Sequence, residues 1–124
     1  MPIRVLIADD SDIMRAAIAS TLKADPDIEV VGEATNFAET LERAGTLNPD
    51  IVLLDLHMPD ERRYSPEIVK GPLLENSGCV LAISVWNDVD AMALAKNIGA
   101  VALLDKADLF STLISTIKMY CTKD

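Results

Sequence analysis

The sequence is poor in several features that define whole classes of protein. It has only two cysteines, Cys79 and Cys121, at no zinc-site spacing. A single disulfide between them is the alternative, but we expect both to be reduced thiols. Basic side chains are also scarce, with 11 Lys and Arg against 20 Asp and Glu and a net charge of -9. This balance argues against a nucleic-acid or anionic-membrane interface on this domain, because phosphate-bearing surfaces attract Lys and Arg.

Long hydrophobic runs and internal divisions are missing as well. No apolar stretch fits a signal-peptide core or a membrane span, which predicts a soluble, cytoplasmic protein. No repeat, low-complexity segment or Gly/Ser-rich linker divides the 124 residues, half of which are hydrophobic. A chain of this size buries roughly two thirds of its unfolded surface. We therefore predict one domain over residues 1–124.

Five short apolar runs, rich in Val, Ile and Leu, carry the fold prediction. Near-continuous runs of this kind are typical of strands buried on both faces of a parallel sheet. They are Arg4–Ala8, Ile28–Ala34, Asp50–Asp55, Cys79–Ser84 and Ala100–Asp105. Stretches with helical spacing separate them, so strand and helix alternate five times. This alternation predicts an α/β three-layer, doubly wound sandwich around a five-stranded parallel sheet.

Start and stop signals refine the helices. Asn36 stands three residues before Glu39, as in a capping box, and Asn87 or Asp88 can cap the fourth helix. Ser65-Pro66 is a typical start for the third helix. Gly71-Pro72 then falls inside it, and we expect that helix to be short or broken, because an interior proline removes a hydrogen bond and clashes with the preceding turn.

Polar residues end four of the five predicted strands. Asp9 and Asp10 follow the first, Asp55 ends the third, Ser84 ends the fourth and Lys106 follows the fifth. Each has an ordinary alternative: Asp10, Ser11 or Asp12 can cap a helix, and the others can be loop residues. Ligands of such sheets bind outside the carboxyl ends of the strands, where these side chains would meet. Their joint occurrence favours one site, which needs internal charge compensation.

The chemistry of this set is specific. Carboxylate oxygens are what Mg²⁺ prefers. A carboxylate can also be the nucleophile that accepts a phosphoryl group, which the metal and an ammonium then stabilise. The residues therefore predict Mg²⁺-dependent phosphoryl chemistry.

The motifs resemble the response-regulator receiver domains of two-component signalling along essentially the whole chain. The residues that carry the resemblance are Val5–Ser11, Asp55–Pro59, Ser84 and Leu104–Lys106. Residues Asp25–Ala34 are similar to receivers of the LuxR/NarL-like group. The resemblance implies the flavodoxin-like receiver fold with strand order 2-1-3-4-5.

By position, the resemblance also implies the site roles and partners. Asp55 would be the phosphoacceptor, and Ser84 and Lys106 would contact the phosphoryl group. Mg²⁺ would be held by Asp9, Asp10, Asp55 and the backbone carbonyl of His57. The phosphoryl donor would be a sensor histidine kinase or a phosphotransfer protein, and the domain would be a switch rather than an enzyme. Such domains also form homodimers and occur joined to effector domains in longer chains.

Some positions depart from the family pattern and concern output rather than chemistry. They are Val85 after the hydroxyl residue, Leu103 at the usual aromatic switch position, Asp60–Tyr64 in place of a Gly-containing turn, and Ala107 after the lysine. A non-proline at 107 predicts a trans Lys106–Ala107 peptide. In the family, the positions of His57 and Trp86 flank the path of the water that hydrolyses the aspartyl phosphate, so the bulky Trp86 predicts a long-lived phosphorylated state.

Two other functions remain as alternatives. A haloacid-dehalogenase-like phosphohydrolase also uses a strand-end Asp and Mg²⁺, but it needs a second acid two residues later, where this chain has His57. A pseudo-receiver would bind partners without phosphorylation, which the presence of Asp10, Asp55 and Lys106 disfavours.

Overall fold

The computed structural model describes residues 2–85 and 89–120. The strands are β1 (Ile3–Ala8), β2 (Ile28–Ala34), β3 (Ile51–Asp55), β4 (Cys79–Ser84) and β5 (Ala102–Asp105). The helices are α1 (Asp12–Lys23), α2 (Phe37–Leu47), α3 (Pro66–Asn76), α4 (Val89–Ile98) and α5 (Leu109–Tyr120). All strand pairs are parallel and the order is β2-β1-β3-β4-β5, which confirms the predicted sheet.

Helices cover both faces of the sheet and make two separate cores. The first core joins α1 and α5 to one face, with Ile18 and Leu113 fully buried against strand residues such as Val5. The second joins α2, α3 and α4 to the other face, where Leu6 and Leu73 are fully buried. Fully burying one such side chain stabilises the fold by about 1.5–3 kcal/mol. The alternation of β1 residues between the two cores explains why the strands are nearly continuous apolar runs.

Side-chain caps fix the helix starts that face the candidate site. Ser11 is the N-cap of α1, where its Oγ accepts the Met14 N–H at 3.1 Å, so Asp10 is not needed as a cap. Asn36 caps α2 as predicted, with Oδ1 accepting the Glu39 N–H at 2.8 Å. The Glu39 carboxylate reaches back past the N-cap and accepts the N–H of Thr35, the residue before it, at 2.8 Å.

The expectation that the third helix is short or broken is wrong. α3 runs continuously over 11 residues with Pro72 inside it. The proline removes the hydrogen bond to the carbonyl of Ile68, which is a half-exposed residue where water can replace that bond. The buried residues Val69 and Leu73 lie on either side of the interruption and hold the helix on the second core.

Three further expectations concern individual positions. The Lys106–Ala107 peptide is trans, as predicted. Cys79 is buried in β4 and is disulfide-bonded rather than free, so a reduced thiol there was the wrong expectation, while Cys121 lies outside the described residues. The proposed caps Asn87 and Asp88 also lie outside them. Within the described parts of the chain, no helix is long and apolar enough to cross a membrane.

Candidate phosphoacceptor site

Three neighbouring strands bring buried polar side chains to one edge of the sheet. Ala8 of β1 pairs with Leu54 of β3, so Asp9 and Asp55, each one residue further, leave the sheet side by side. Ser84 ends β4, the next strand. Asp9 and Ser84 are fully buried and Asp55 is 3% exposed. The strand ends therefore converge as the sequence predicts.

Lys106 provides the positive charge at this edge. Its ammonium lies 2.9 Å from Asp9 Oδ2 and 3.1 Å from Asp55 Oδ2, while its backbone N–H donates to the Ser84 carbonyl at 2.9 Å. We call Asp9, Asp55, Ser84 and Lys106 the buried centre. One ammonium shared by two carboxylates leaves the centre with an excess of negative charge.

Burial and charge act in opposite directions on the ionisable groups of the buried centre. Burial, reinforced by the nearby Asp9 carboxylate, raises the pKa of Asp55 above its ordinary 3.8, although the His57 N–H and the Lys106 ammonium act to lower it. Burial alone would lower the pKa of Lys106, but its bonds to the two carboxylates outweigh that and raise it. The two directions are compatible, because Lys106 has two anionic neighbours and Asp55 must share its single cation with Asp9.

The oxygens of the acidic cluster suit a hard divalent cation. One carboxylate oxygen from each of Asp9, Asp10 and Asp55 lies within 4.8 Å of the other two. Asp9 Oδ1 accepts the Ser11 N–H at 2.8 Å, whereas the buried Oδ2 has no hydrogen-bond partner among the described residues apart from its ion-pair contact with Lys106. An all-oxygen set with excess negative charge and a buried oxygen still able to accept fits Mg²⁺.

More exposed residues surround the buried centre. Asp10 is exposed, the His57 side chain is 39% exposed, and Val85 is 52% exposed. We call these three residues the exposed rim. The His57 backbone N–H donates to Asp55 Oδ1 at 3.0 Å, while its ring Nδ1 lies 3.4 Å from Glu61 Oε2. Trp86, predicted to flank the water path, lies outside the described residues.

Sequence reasoning missed two residues that support this site. Arg15 donates from Nη1 to the Asp9 backbone carbonyl at 2.7 Å and also pairs with Asp12 and Glu33. Asp60, in the loop after β3, accepts hydrogen bonds from the first residues of α2. Arg15 stands six positions after Asp9 in an ordinary helical pattern, and Asp60 binds residues more than 20 positions away, so no local pattern signals either role.

The family model for the response regulator receiver domain matches residues 5–118. The chain belongs to this family. The match covers all four strand ends of the site, and it favours a receiver over a haloacid-dehalogenase-like hydrolase, in agreement with His57 standing where a hydrolase needs its second acid. A receiver domain is not itself a catalytic domain.

Curated relatives are much longer than this chain. A protein-glutamate methylesterase/protein-glutamine glutaminase 2 of Anaeromyxobacter dehalogenans is 36% identical over 105 residues, which is 85% of this chain and 30% of that protein. The enzyme of the same type from Agrobacterium fabrum is 53% identical over 57 residues, 46% of this chain and 16% of that protein. The chain therefore spans only a minor part of these relatives.

Solved structures agree on the fold. The response regulator domain of Thermotoga maritima CheB has a TM-score of 0.84 and 26% identity, covering 100% of this chain and 99% of that one. The receiver domain of NarL from Mycobacterium tuberculosis has a TM-score of 0.85 and 24% identity, covering 99% and 98%. At that identity, the likeness to NarL supports the shared fold and not the LuxR/NarL-like subgroup. The sequence is also similar to the methylesterases described above, which are not named as members of the LuxR/NarL-like group.

Proposed function

We propose that this domain accepts a phosphoryl group on Asp55, with Mg²⁺, and thereby switches the activity of a partner or of an effector domain joined to it. The observation that carries the proposal is the position of Asp55. Its carboxylate is buried beside Asp9 and Asp10, which would hold the metal, and contacts the Lys106 ammonium; both of its oxygens are oriented by hydrogen bonds.

In the proposed transfer, Asp55 is the nucleophile, and neighbouring groups of the chain orient it. A carboxylate oxygen of Asp55 attacks the phosphorus of the donor, a P–O bond forms, and the bond from phosphorus to the donor's nitrogen or oxygen breaks. The donor keeps the electron pair of that bond. Hydrogen bonds from the His57 N–H and the Lys106 ammonium hold the carboxylate in one orientation, which reduces the entropic cost of the attack.

Two residues of the buried centre are proposed to bind the transferred group. The Lys106 ammonium would exchange its bond to the Asp55 carboxylate for a charge-assisted bond to a phosphoryl oxygen, and the Ser84 hydroxyl would bind a second oxygen. This exchange changes the contacts of β4 and β5, since Ser84 ends the first of these strands and Lys106 follows the second. It is the step we expect to begin the switch.

Mg²⁺ would be held by Asp9, Asp10, Asp55 and the His57 carbonyl. When bound, it would neutralise negative charge on the phosphoryl oxygens. The protein supplies the carboxylates, and Arg15 fixes the acidic pair through the Asp9 backbone carbonyl.

The proposed donor is a phosphohistidine on a sensor kinase or phosphotransfer protein, encountered in the cytoplasm. We propose that residues 1–124 form one receiver unit and that its output lies outside it. The methylesterase activity in the relatives' names belongs to proteins of which this chain spans 30% or less, so for this protein an enzymatic effector domain is a proposal.

Intact-mass spectrometry tests the proposed function. The wild-type chain is incubated with a small acyl phosphate and Mg²⁺, with and without excess chelator, beside Asp55→Asn and the control Asp50→Asn. Asp50 is an acid at the opposite end of β3, where it accepts the Arg4 N–H at 2.8 Å. We expect one phosphate adduct on wild type and Asp50→Asn and none on Asp55→Asn or with chelator. An adduct that survives Asp55→Asn would refute the assignment.

A further inference from the structure

The loop between β3 and α3 is attached to the start of α2 by a side chain. The two carboxylate oxygens of Asp60 accept separate hydrogen bonds, from the Phe37 N–H at 2.9 Å and from the Ala38 N–H at 3.0 Å. These N–H groups belong to the first turn of α2, where intrahelical partners are missing and negative charge is favoured. Asp60 thus joins two segments more than 20 residues apart.

An aromatic contact four residues after Asp60 also joins this loop to α2. Tyr64 stacks on Phe37 with ring centroids 6.3 Å apart and an interplanar angle of 29°. Within the loop, the Glu61 N–H donates to the Met58 carbonyl and the Arg63 N–H donates to the Asp60 carbonyl, both at 3.0 Å. The loop is therefore a folded turn fixed to α2 by polar and apolar contacts.

The fixed loop leads directly into the phosphoacceptor. Its first residues include His57, whose N–H binds Asp55 Oδ1 and whose carbonyl is a proposed metal ligand. A ligand carbonyl on a short loop is only as well placed as the loop that carries it, because supporting residues orient metal ligands. Asp60 lies three residues after His57 and is the nearest residue after it that forms a side-chain bond to another helix.

We propose that Asp60 is a positioning residue for the Asp55 site. By holding the loop on α2, its carboxylate fixes the His57 backbone in the orientation that serves both Asp55 and the cation. This inference rests on the proposed function of Asp55. It assigns a task to the segment Asp60–Tyr64, which replaces the Gly-containing turn usual in the family.

The test separates positioning from mere stabilisation of α2. Asp60→Ala removes both bonds, and Asp60→Asn keeps one acceptor oxygen. Asn36→Ala is the matched control, since it removes a different cap from the same helix end without touching the loop. Glu75→Gln, at an exposed position of α3, controls for the loss of one negative charge. Mg²⁺ affinity is measured by calorimetry on each chain without phosphate, and the rate of phosphate uptake is measured separately.

We expect Asp60→Ala to weaken Mg²⁺ binding by about tenfold, at the lower end of what loss of a supporting residue costs a metal site. Asp60→Asn should fall between Asp60→Ala and wild type. Asn36→Ala and Glu75→Gln should stay within about twofold of wild type, as expected for changes that do not couple to the site.

Two results would overturn the inference, and they are distinguishable. Equal weakening by Asp60→Ala and Asn36→Ala would show that only helix stability matters. Unchanged Mg²⁺ affinity in a folded Asp60→Ala or Asp60→Asn would show that the loop needs no anchor. A wild-type chain that neither binds Mg²⁺ nor takes phosphate would instead refute the proposed function itself.

Discussion

The buried centre and the exposed rim of the Asp55 site differ in solvent exposure and therefore in the strength of their charge interactions. In the buried centre, Lys106 contacts both Asp9 and Asp55 within 3.1 Å and nearly out of water, so removing the Lys106 ammonium leaves two buried carboxylates uncompensated. In the exposed rim, Asp10, His57 and Val85 face solvent, where interactions between charges are weak. We therefore expect substitutions in the buried centre to have large effects on phosphoryl transfer. Substitutions in the exposed rim should have smaller effects, on Mg²⁺ affinity and on the lifetime of the phosphorylated state.

The largest expected effect comes from removing two proposed metal ligands, one from each region. Asp9→Asn with Asp10→Asn should weaken Mg²⁺ binding by more than the roughly 10- to 100-fold that losing a supporting residue costs. Calorimetric titration with Mg²⁺ measures it, with Glu42→Gln combined with Glu75→Gln, at exposed positions of α2 and α3, as a control of equal charge change. The single variants sharpen the comparison, because Asp9→Asn should also disturb Lys106 whereas Asp10→Asn should not. Unaltered Mg²⁺ affinity in the double variant would show that Mg²⁺ does not bind at this site.

The next effect concerns Lys106. Lys106→Ala should leave the fold intact and weaken the change that phosphorylation induces, because a charge-assisted hydrogen bond of about 1.5–3 kcal/mol is lost. Hydrogen exchange of β4 and β5, with and without acyl phosphate, measures the response. Lys96→Ala, at an exposed position of α4, is the control. A full response in Lys106→Ala would contradict the assigned role.

The raised pKa of Asp55 predicts a pH-dependent stability. The folded state holds this proton more tightly than the unfolded state, so the contribution of Asp55 to stability is fully present below the ordinary pKa of 3.8 and is lost as pH rises through the folded-state pKa. In metal-free buffer, Asp55→Asn should therefore be more stable than wild type near neutral pH, and the advantage should shrink in acid. Urea unfolding at several pH values measures the difference in stability. A stability advantage of Asp55→Asn that grows in acid would show that the pKa of Asp55 is lowered, not raised.

The smallest effect belongs to the rim and to Trp86. The family resemblance predicts that Trp86 flanks the path of the hydrolytic water, where a bulky side chain slows hydrolysis, so Trp86→Ala should shorten the lifetime of the phosphorylated chain. Val85→Ala should act in the same direction but less, because Val85 is smaller and half-exposed. Loss of phosphoprotein after removal of the donor gives the lifetimes. Equal decay in wild type and Trp86→Ala would assign the ring to packing or to a partner surface instead.

The sequence predicts the sheet better than it predicts the connections around it. β2 and β4 have the predicted bounds, and the other strands differ by one or two residues at their starts, because a fully buried strand needs a continuous apolar run. The interior Pro72 predicts a short or broken α3, yet burial of Val69 and Leu73 holds the helix together. Packing of the helix on the second core outweighed the local effect of an interior proline.

The candidate site divides in the same way. Asp9, Asp55, Ser84 and Lys106 could be found because each ends or directly follows a strand, and parallel strands bring their ends together. Asp60 could not be found, because its partners on α2 precede it by 22 and 23 positions and only the folded chain brings them together.

Mapping the phosphorylated residue tests the central claim most directly. Wild-type chain treated with acyl phosphate and Mg²⁺ is reduced with borohydride, which converts an aspartyl phosphate to homoserine, and its peptides are sequenced by mass spectrometry. Three carboxylates meet at this site, but only Asp55 is bonded both to the Lys106 ammonium and to the His57 N–H. We predict homoserine at position 55 alone; homoserine at position 9 or 10, or at no position, would contradict the account.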